Sequence, residues 1–178
     1  MTGATGGVGS LAVSLFSRRD YMVAASTGKA DAQDYLRQLG ASEILSREET
    51  SAESNRPLEA ERWAGSIDTV GGATLAYLMR TTKKGGAIAA IGVSGGAAFR
   101  ASVFPLILRG INVLGIDMSS TPLQMGRELW EEMMREASLL NLVDSIVSEV
   151  TLEDIPRVTQ AILDGRTRGR ILVRPSEQ

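Results

Sequence analysis

Four glycines fall within the nine residues Thr2-Gly3-Ala4-Thr5-Gly6-Gly7-Val8-Gly9-Ser10, and this stretch constrains the fold more than any other feature of the chain. Gly6 and Gly9 have the spacing that lets backbone amides approach a pyrophosphate. Leu11, Ala12, Leu15 and Phe16 continue at helical spacing, so an anion held by the turn would sit on a helix N-terminus. Such a turn normally follows a buried strand, yet only Met1 stands ahead of it. The chain therefore reads as opening inside a dinucleotide-binding motif. A glycine cluster alone serves ordinary turns equally well, and the rest of the sequence has to decide.

At 178 residues with 43% hydrophobic content, the chain buries one substantial core, with room for an appendage rather than a second full domain. Nineteen basic against 21 acidic residues leave a net charge of -2, which offers no broad attraction to nucleic acid or an anionic membrane. Neither cysteine nor histidine occurs, which removes the usual zinc ligands and the commonest neutral-pH proton shuttle. The chain reads as metal-free. The first thirty residues lack the long apolar run of a signal peptide or membrane helix, so a soluble, cytoplasmic protein is the default expectation.

Beyond the first helix, apolar runs alternate with helical spacing. Tyr21 to Ala25 predicts a strand with Ser26-Thr27-Gly28-Lys29 as its polar exit. Asp31 to Leu39 predicts a helix ended by Gly40, and Glu43 to Leu45 a second strand. Arg47 to Glu61 is charged and reads as a solvated connection carrying a short helix. Ile67 to Val70 predicts a core strand, Gly71-Gly72 opens a helix through Leu75, Ala76, Leu78 and Met79, and Gly85-Gly86 punctuates the chain before a buried strand at Ala87 to Ile91. A second permissive turn follows at Gly92-Val93-Ser94-Gly95-Gly96. Ile111 to Ile116 predicts the last strand of the sheet, ahead of a long helix around Leu129, Trp130, Met133 and Met134. The end of the chain predicts a strand at Ile146 to Leu152, a helix at Ile155 to Leu163 and a strand at Ile171 to Arg174. This order implies an α/β, Rossmann-like, doubly wound parallel sheet with ligands beyond the strand C-termini. Its first strand is largely missing and a strand-helix-strand appendage follows it. The expected division is residues 1–141 for the nucleotide-binding domain and 142–178 for the C-terminal return segment.

Three segments carry a family resemblance: the glycine-rich opening, Arg62-Trp63-Ala64-Gly65-Ser66-Ile67-Asp68-Thr69-Val70-Gly71-Gly72, and Ile107-Leu108-Arg109-Gly110 leading into Leu114-Gly115-Ile116-Asp117. Together they resemble the medium-chain dehydrogenase/reductase superfamily, specifically its zinc-free acrylyl-CoA reductase branch, often described as quinone-oxidoreductase-like. The resemblance implies an NADPH-dependent reductase of an activated carbon-carbon double bond, converting acryloyl-CoA to propanoyl-CoA or reducing a quinone-like acceptor. It also implies that the catalytic domain is built mainly from sequence ahead of the nucleotide domain, so the chain resembles a fragment. A valine codon read as an initiator gives such a boundary, as does deliberate truncation. The alternative is a stand-alone NADPH-binding or sensor module without catalysis; a third, purely structural dimer predicts no nucleotide binding.

The exit of the second Rossmann strand selects the cofactor, because an acidic residue there binds the ribose hydroxyls of NAD and repels a 2′-phosphate. Here that exit has no acid. Lys29 can neutralise a phosphate, Thr27 can donate to it, Gly28 allows close approach, and Arg47 supplies a planar fork. NADPH is expected over NADH. By resemblance Thr27, Gly28, Lys29 and Arg47 match family cofactor positions, Thr5, Gly6, Gly7 and Val8 face the pyrophosphate or adjoining ribose, and Val93, Ile107 and Met118 flank the nicotinamide half. Met118 replaces a serine common in the family, and Gly165 stands at a contact position that is asparagine in some members. No residue presents itself as the enolate stabiliser or proton donor, and the catalytic residues stay unassigned; Asp68 and Asp117 read as turn or ribose holders. The apolar edge Asn112 to Ile116 is expected to pair with its copy in a homodimer.

Overall fold

A computed structural model describes residues 1–135 and 145–175, and within them an α/β chain with parallel strand pairing throughout. The order is α1 (Gly7–Arg18), β1 (Ala24–Thr27), α2 (Gln33–Gln38), β2 (Glu43–Ser46), α3 (Arg47–Ser51), β3 (Trp63–Asp68), α4 (Gly72–Thr81) and β4 (Thr82–Ala90). It continues with α5 (Phe104–Arg109), β5 (Asn112–Gly115), α6 (Leu123–Arg135), β6 (Val147–Thr151), α7 (Ile155–Leu163) and β7 (Arg170–Arg174). The proposed domain boundary at 141/142 lies outside the described residues.

Two residues, Met1 and Thr2, join the sheets β1-β2 and β3-β4-β5 into one layer. On one side the Met1 amine donates to the Ala24 carbonyl at 2.8 Å and the Ser26 amide donates to the Met1 carbonyl at 2.8 Å. On the other side the Thr2 amide donates to the Ile67 carbonyl at 3.1 Å. Met1-Thr2 is thus a two-residue tip lying between β1 and β3, giving the spatial order β2, β1, tip, β3, β4, β5. Ahead of the tip, a cavity of about 1050 Å³ opens between the two flanking strands.

Two apolar clusters hold the layer. Ala4, Val13, Val23, Ala25, Leu36, Leu39, Ala41 and Ile146 pack around α1 and α2, while Leu75, Tyr77, Leu78, Met79, Ile88 and Ile111 pack α4 against β4. The helix α6 buries none of its side chains, and Leu123, Trp130 and Met134 are exposed on it.

Three strand boundaries differ from the sequence expectation, each for a reason that the structure supplies. The strand expected at Tyr21 to Ala25 runs at Ala24–Thr27 instead: Tyr21 and Met22 are exposed, because the partner β2 begins only at Glu43, opposite Ala24. The strand expected at Ile67 to Val70 begins at Trp63 and stops at Asp68, whose carboxylate turns the chain by accepting from the Val70 amide at 3.1 Å and the Gly71 amide at 2.9 Å. Gly85-Gly86 lies inside β4 rather than before it. Trp63 pairs with Thr82 and Gly65 with Ala87, so the two glycines sit in a bulge, Gly85 at φ +72° and Gly86 too close to the Ala64 carbonyl to carry a Cβ.

Candidate cofactor site

The glycine turn is shaped by its own backbone. The Gly6 amide donates to the Gly3 carbonyl at 3.0 Å, Gly3 sits at φ +57°, and a Cβ on Gly9 would drive into the Gly3 carbonyl and Ala4 backbone. Gly6 caps α1 in an extended conformation without a side-chain acceptor, and no acidic residue occupies the first turn. The first turn of this 12-residue helix therefore offers no carboxylate of its own to the opening amides.

One turn away, at the end of β1, Thr27 is buried with its hydroxyl 3.5 Å from that of Thr5, and it accepts from the Lys29 amide at 3.1 Å. A Cβ on Gly28 would stand 2.9 Å from the Arg47 guanidinium, so the missing side chain is what lets Arg47 lie across the loop. Thr27, Gly28 and Lys29 line a pocket of about 260 Å³ with Ser46, Glu48 and Glu49. The acids there are engaged locally: Glu49 and Ser46 form a reciprocal capping box at the start of α3. Burial lowers the Lys29 ammonium from its ordinary pKa, Asp31 pulls it back up, and Arg168 and Arg47 push it further down. Three cations therefore share this corner.

The C-terminal segment closes the site, and sequence reasoning missed how. Lys29 donates through its ammonium to the Thr167 carbonyl. The Gly169 amide donates to the Thr5 carbonyl at 2.8 Å, and Gly6 and Gly169 form a parallel bridge. The Arg170 guanidinium lies over Gly7, 2.6–2.7 Å from where a Cβ would stand. Arg168 stacks on the Tyr35 ring at 5.4 Å. Arg168-Gly169-Arg170, two cations flanking a glycine, was the available signal. Gly165 ends α7 at φ +67°, two residues before the first of these contacts.

The structure thus brings Thr5, Gly6, Gly7 and Val8 together with Thr27, Gly28, Lys29 and Arg47. Val93 follows β4, Ile107 lies on α5 and Met118 follows β5; all three are exposed. Gly71 and Gly72 accommodate the Gly92–Gly96 loop, whose carbonyls come within 2.6–2.8 Å of the Cβ positions the glycines lack. Asp68 is fully buried and accepts from the Thr2 hydroxyl at 2.5 Å besides its two amides, which is a fold-holding role. Asp117 accepts from the Ser119 and Ser120 hydroxyls, which hold its carboxyl down at about 2.

The profile of the zinc-binding dehydrogenase family matches residues 7–138. The chain belongs to that family. It is 42% identical over 174 residues to YhfP of Bacillus subtilis, named as a quinone oxidoreductase, and 42% identical over 173 residues to the acrylyl-CoA reductase AcuI of Ruegeria pomeroyi. These alignments cover 98% and 97% of this chain but 53% and 52% of the relatives, so the chain spans about half the length of the curated relatives it matches. The crystal structure of the YhdH oxidoreductase from Salmonella enterica in complex with NADP superposes with a TM-score of 0.92 at 42% identity, covering 98% of this chain and 53% of that one. YhfP with NAD bound superposes at 0.89 with 43% identity over 98% of this chain and 53% of that one. The family's zinc does not fit the residues here: the sequence has no histidine or cysteine, and the described residues contain no acidic cluster able to hold a metal. No helix among the described residues is long and apolar enough to cross a membrane.

Proposed function

We propose that this chain is the NADPH-binding half of a zinc-free medium-chain reductase that adds hydride to an activated carbon-carbon double bond of an enoyl thioester such as acryloyl-CoA, or to a quinone. The observation that carries the reading is the meeting of four cationic side chains, Lys29, Arg47, Arg168 and Arg170, around one glycine turn and one acid-free strand exit. The α1 amides and Arg170 hold the pyrophosphate, and Lys29, Arg47 and Thr27 hold the 2′-phosphate. Val93, Ile107 and Met118 flank the nicotinamide, and the Gly165 backbone borders the same cleft. The cofactor supplies the hydride. Asp68 and Asp117 are committed to backbone and serine donors, so the proton and the enolate stabiliser come from outside the described residues of this chain. The sequence relationship to AcuI and YhfP supports the two substrate classes.

The chain is further proposed to work as a cytoplasmic homodimer through β5. This strand ends the sheet, and Leu114 and Ile116 are exposed. Ile116 donates inward to Ala90 at 3.0 Å, so strand alternation turns the Val113 amide outward. Val113→Pro removes that donor and is expected to convert a light-scattering dimer to monomer; a monomeric wild type removes the interface. Turnover of acryloyl-CoA or simple quinones with NADPH is expected to be absent for the 178 residues alone and present in a longer protein carrying a catalytic domain. Efficient turnover by the 178 residues would relocate the active site.

A further inference from the structure

Two arginines of the C-terminal segment stand two residues apart, and the fold treats them differently. Arg166 is paired with the Asp164 carboxylate just behind it. Arg168 has no carboxylate partner and no hydrogen-bond acceptor among the described residues, and its guanidinium rests instead on the Tyr35 ring at 5.4 Å. Tyr35 is itself fixed, because its hydroxyl donates to the Ser10 hydroxyl at 2.8 Å and its ring packs on the cluster around α1 and α2. A guanidinium held by its flat face against a ring keeps its N–H edge free for an acceptor.

That edge belongs to the Lys29 corner. Lys29 donates to the carbonyl of Thr167, the residue just before Arg168. Burial is the largest influence lowering the Lys29 ammonium, Asp31 opposes it, and the Arg168 charge lowers it further and by more than Arg47 does. Arg168 is thus the stronger cationic neighbour of Lys29, although Arg47 is the one that the sequence announces. Gathered cations repel, and a chain of net charge -2 has carboxylates to spare for quenching them. The acids at hand are turned elsewhere. Glu49 is held in the capping box, Glu48 accepts from its own amide and from Ser46, and Asp31 makes no ion pair with Lys29 among the described residues. Three unquenched cations suit a phosphate of about -2 charge better than neutral ribose hydroxyls.

We propose that Arg168 is a specificity-determining residue which, with Tyr35 as its platform, supplies the third cationic arm on the cofactor's 2′-phosphate beside Lys29 and Arg47. The proposal rests on the cofactor reading above and adds that the C-terminal segment, and not only the exit of β1, selects between NADPH and NADH. The segment is anchored on both sides of Arg168: the Thr167 carbonyl seats the Lys29 ammonium, and the Gly169 amide donates to the Thr5 carbonyl at 2.8 Å. The ribose of NADH offers no charge to this fork, so the contribution of Arg168 falls on one cofactor only.

The test is calorimetric titration of NADPH and NADH into the 178-residue chain and into variants at Arg168 and Tyr35. Arg168 is exposed, so Arg168→Gln leaves no buried group behind. It should weaken NADPH about fivefold and leave NADH within about twofold. Arg168→Lys, which keeps the charge without the flat face, should recover part of the loss. Tyr35→Leu removes the platform and should lower the ratio of the two affinities, whereas Tyr35→Phe keeps the ring and should preserve it. An equal loss for both cofactors in Arg168→Gln would place Arg168 on a part that they share and overturn the proposal. A ratio indifferent to Arg168→Gln but abolished by Lys29→Ala would also overturn it while the cofactor reading stands. No preference for NADPH in the unaltered chain would remove the cofactor reading and this proposal together.

Discussion

The two ends of the gap between β1 and β3 carry opposite local chemistry. At the end nearest the glycine turn, two residues of strand satisfy both neighbours, and Asp68 collects the Thr2 hydroxyl and two backbone amides in full burial. At the other end the walls enclose a cavity of about 1050 Å³, and the Trp63 indole N–H is buried there without an acceptor among the described residues. The proposed cofactor contacts all belong to the first end. The difference teaches that the proposed site draws on strand tips and the turns that follow them rather than on strand interiors.

The sharpest way to break that comparison is at Asp68. Asp68→Ala leaves the Thr2 hydroxyl and the Val70 and Gly71 amides buried without an acceptor, and it should cost about 3–5 kcal/mol in denaturant unfolding, with cofactor binding lost as the tip detaches. A loss below about 1 kcal/mol would show that the tip is not what holds the glycine turn.

A smaller effect separates the two phosphate corners. Arg170→Ala should weaken NADPH and NADH alike, by about tenfold each, because the Arg170 guanidinium lies over Gly7 at the proposed pyrophosphate turn. A change in the ratio of the two affinities would instead put Arg170 on the 2′-phosphate.

Much of this was legible from the sequence because it is local. Apolar runs bounded by glycine gave the alternation of strands and helices, and Ser26-Thr27-Gly28-Lys29 showed an acid-free exit without any knowledge of its neighbours. What could not be read was non-local. Nothing near Gly7 announces that Arg170 packs on it, and nothing near Lys29 announces the Thr167 carbonyl. Strand ends failed for the same reason. Tyr21 and Met22 are apolar and β-prone, but extended structure there needs a partner that β2 does not provide. Gly85-Gly86 looked like a boundary because glycine serves bulges and turns equally.

The central claim is that the corner formed by Thr27, Gly28, Lys29 and Arg47 reads a 2′-phosphate. NAD bound to the relative YhfP makes that choice a real question rather than a family default. Titrating NADPH and NADH into the 178-residue chain at moderate salt tests it directly. NADPH should bind at least about tenfold tighter, equivalent to ~1.4 kcal/mol, and Lys29→Ala should bring the two affinities together. Equal affinities in the unaltered chain, or a preference indifferent to Lys29→Ala, would contradict the account.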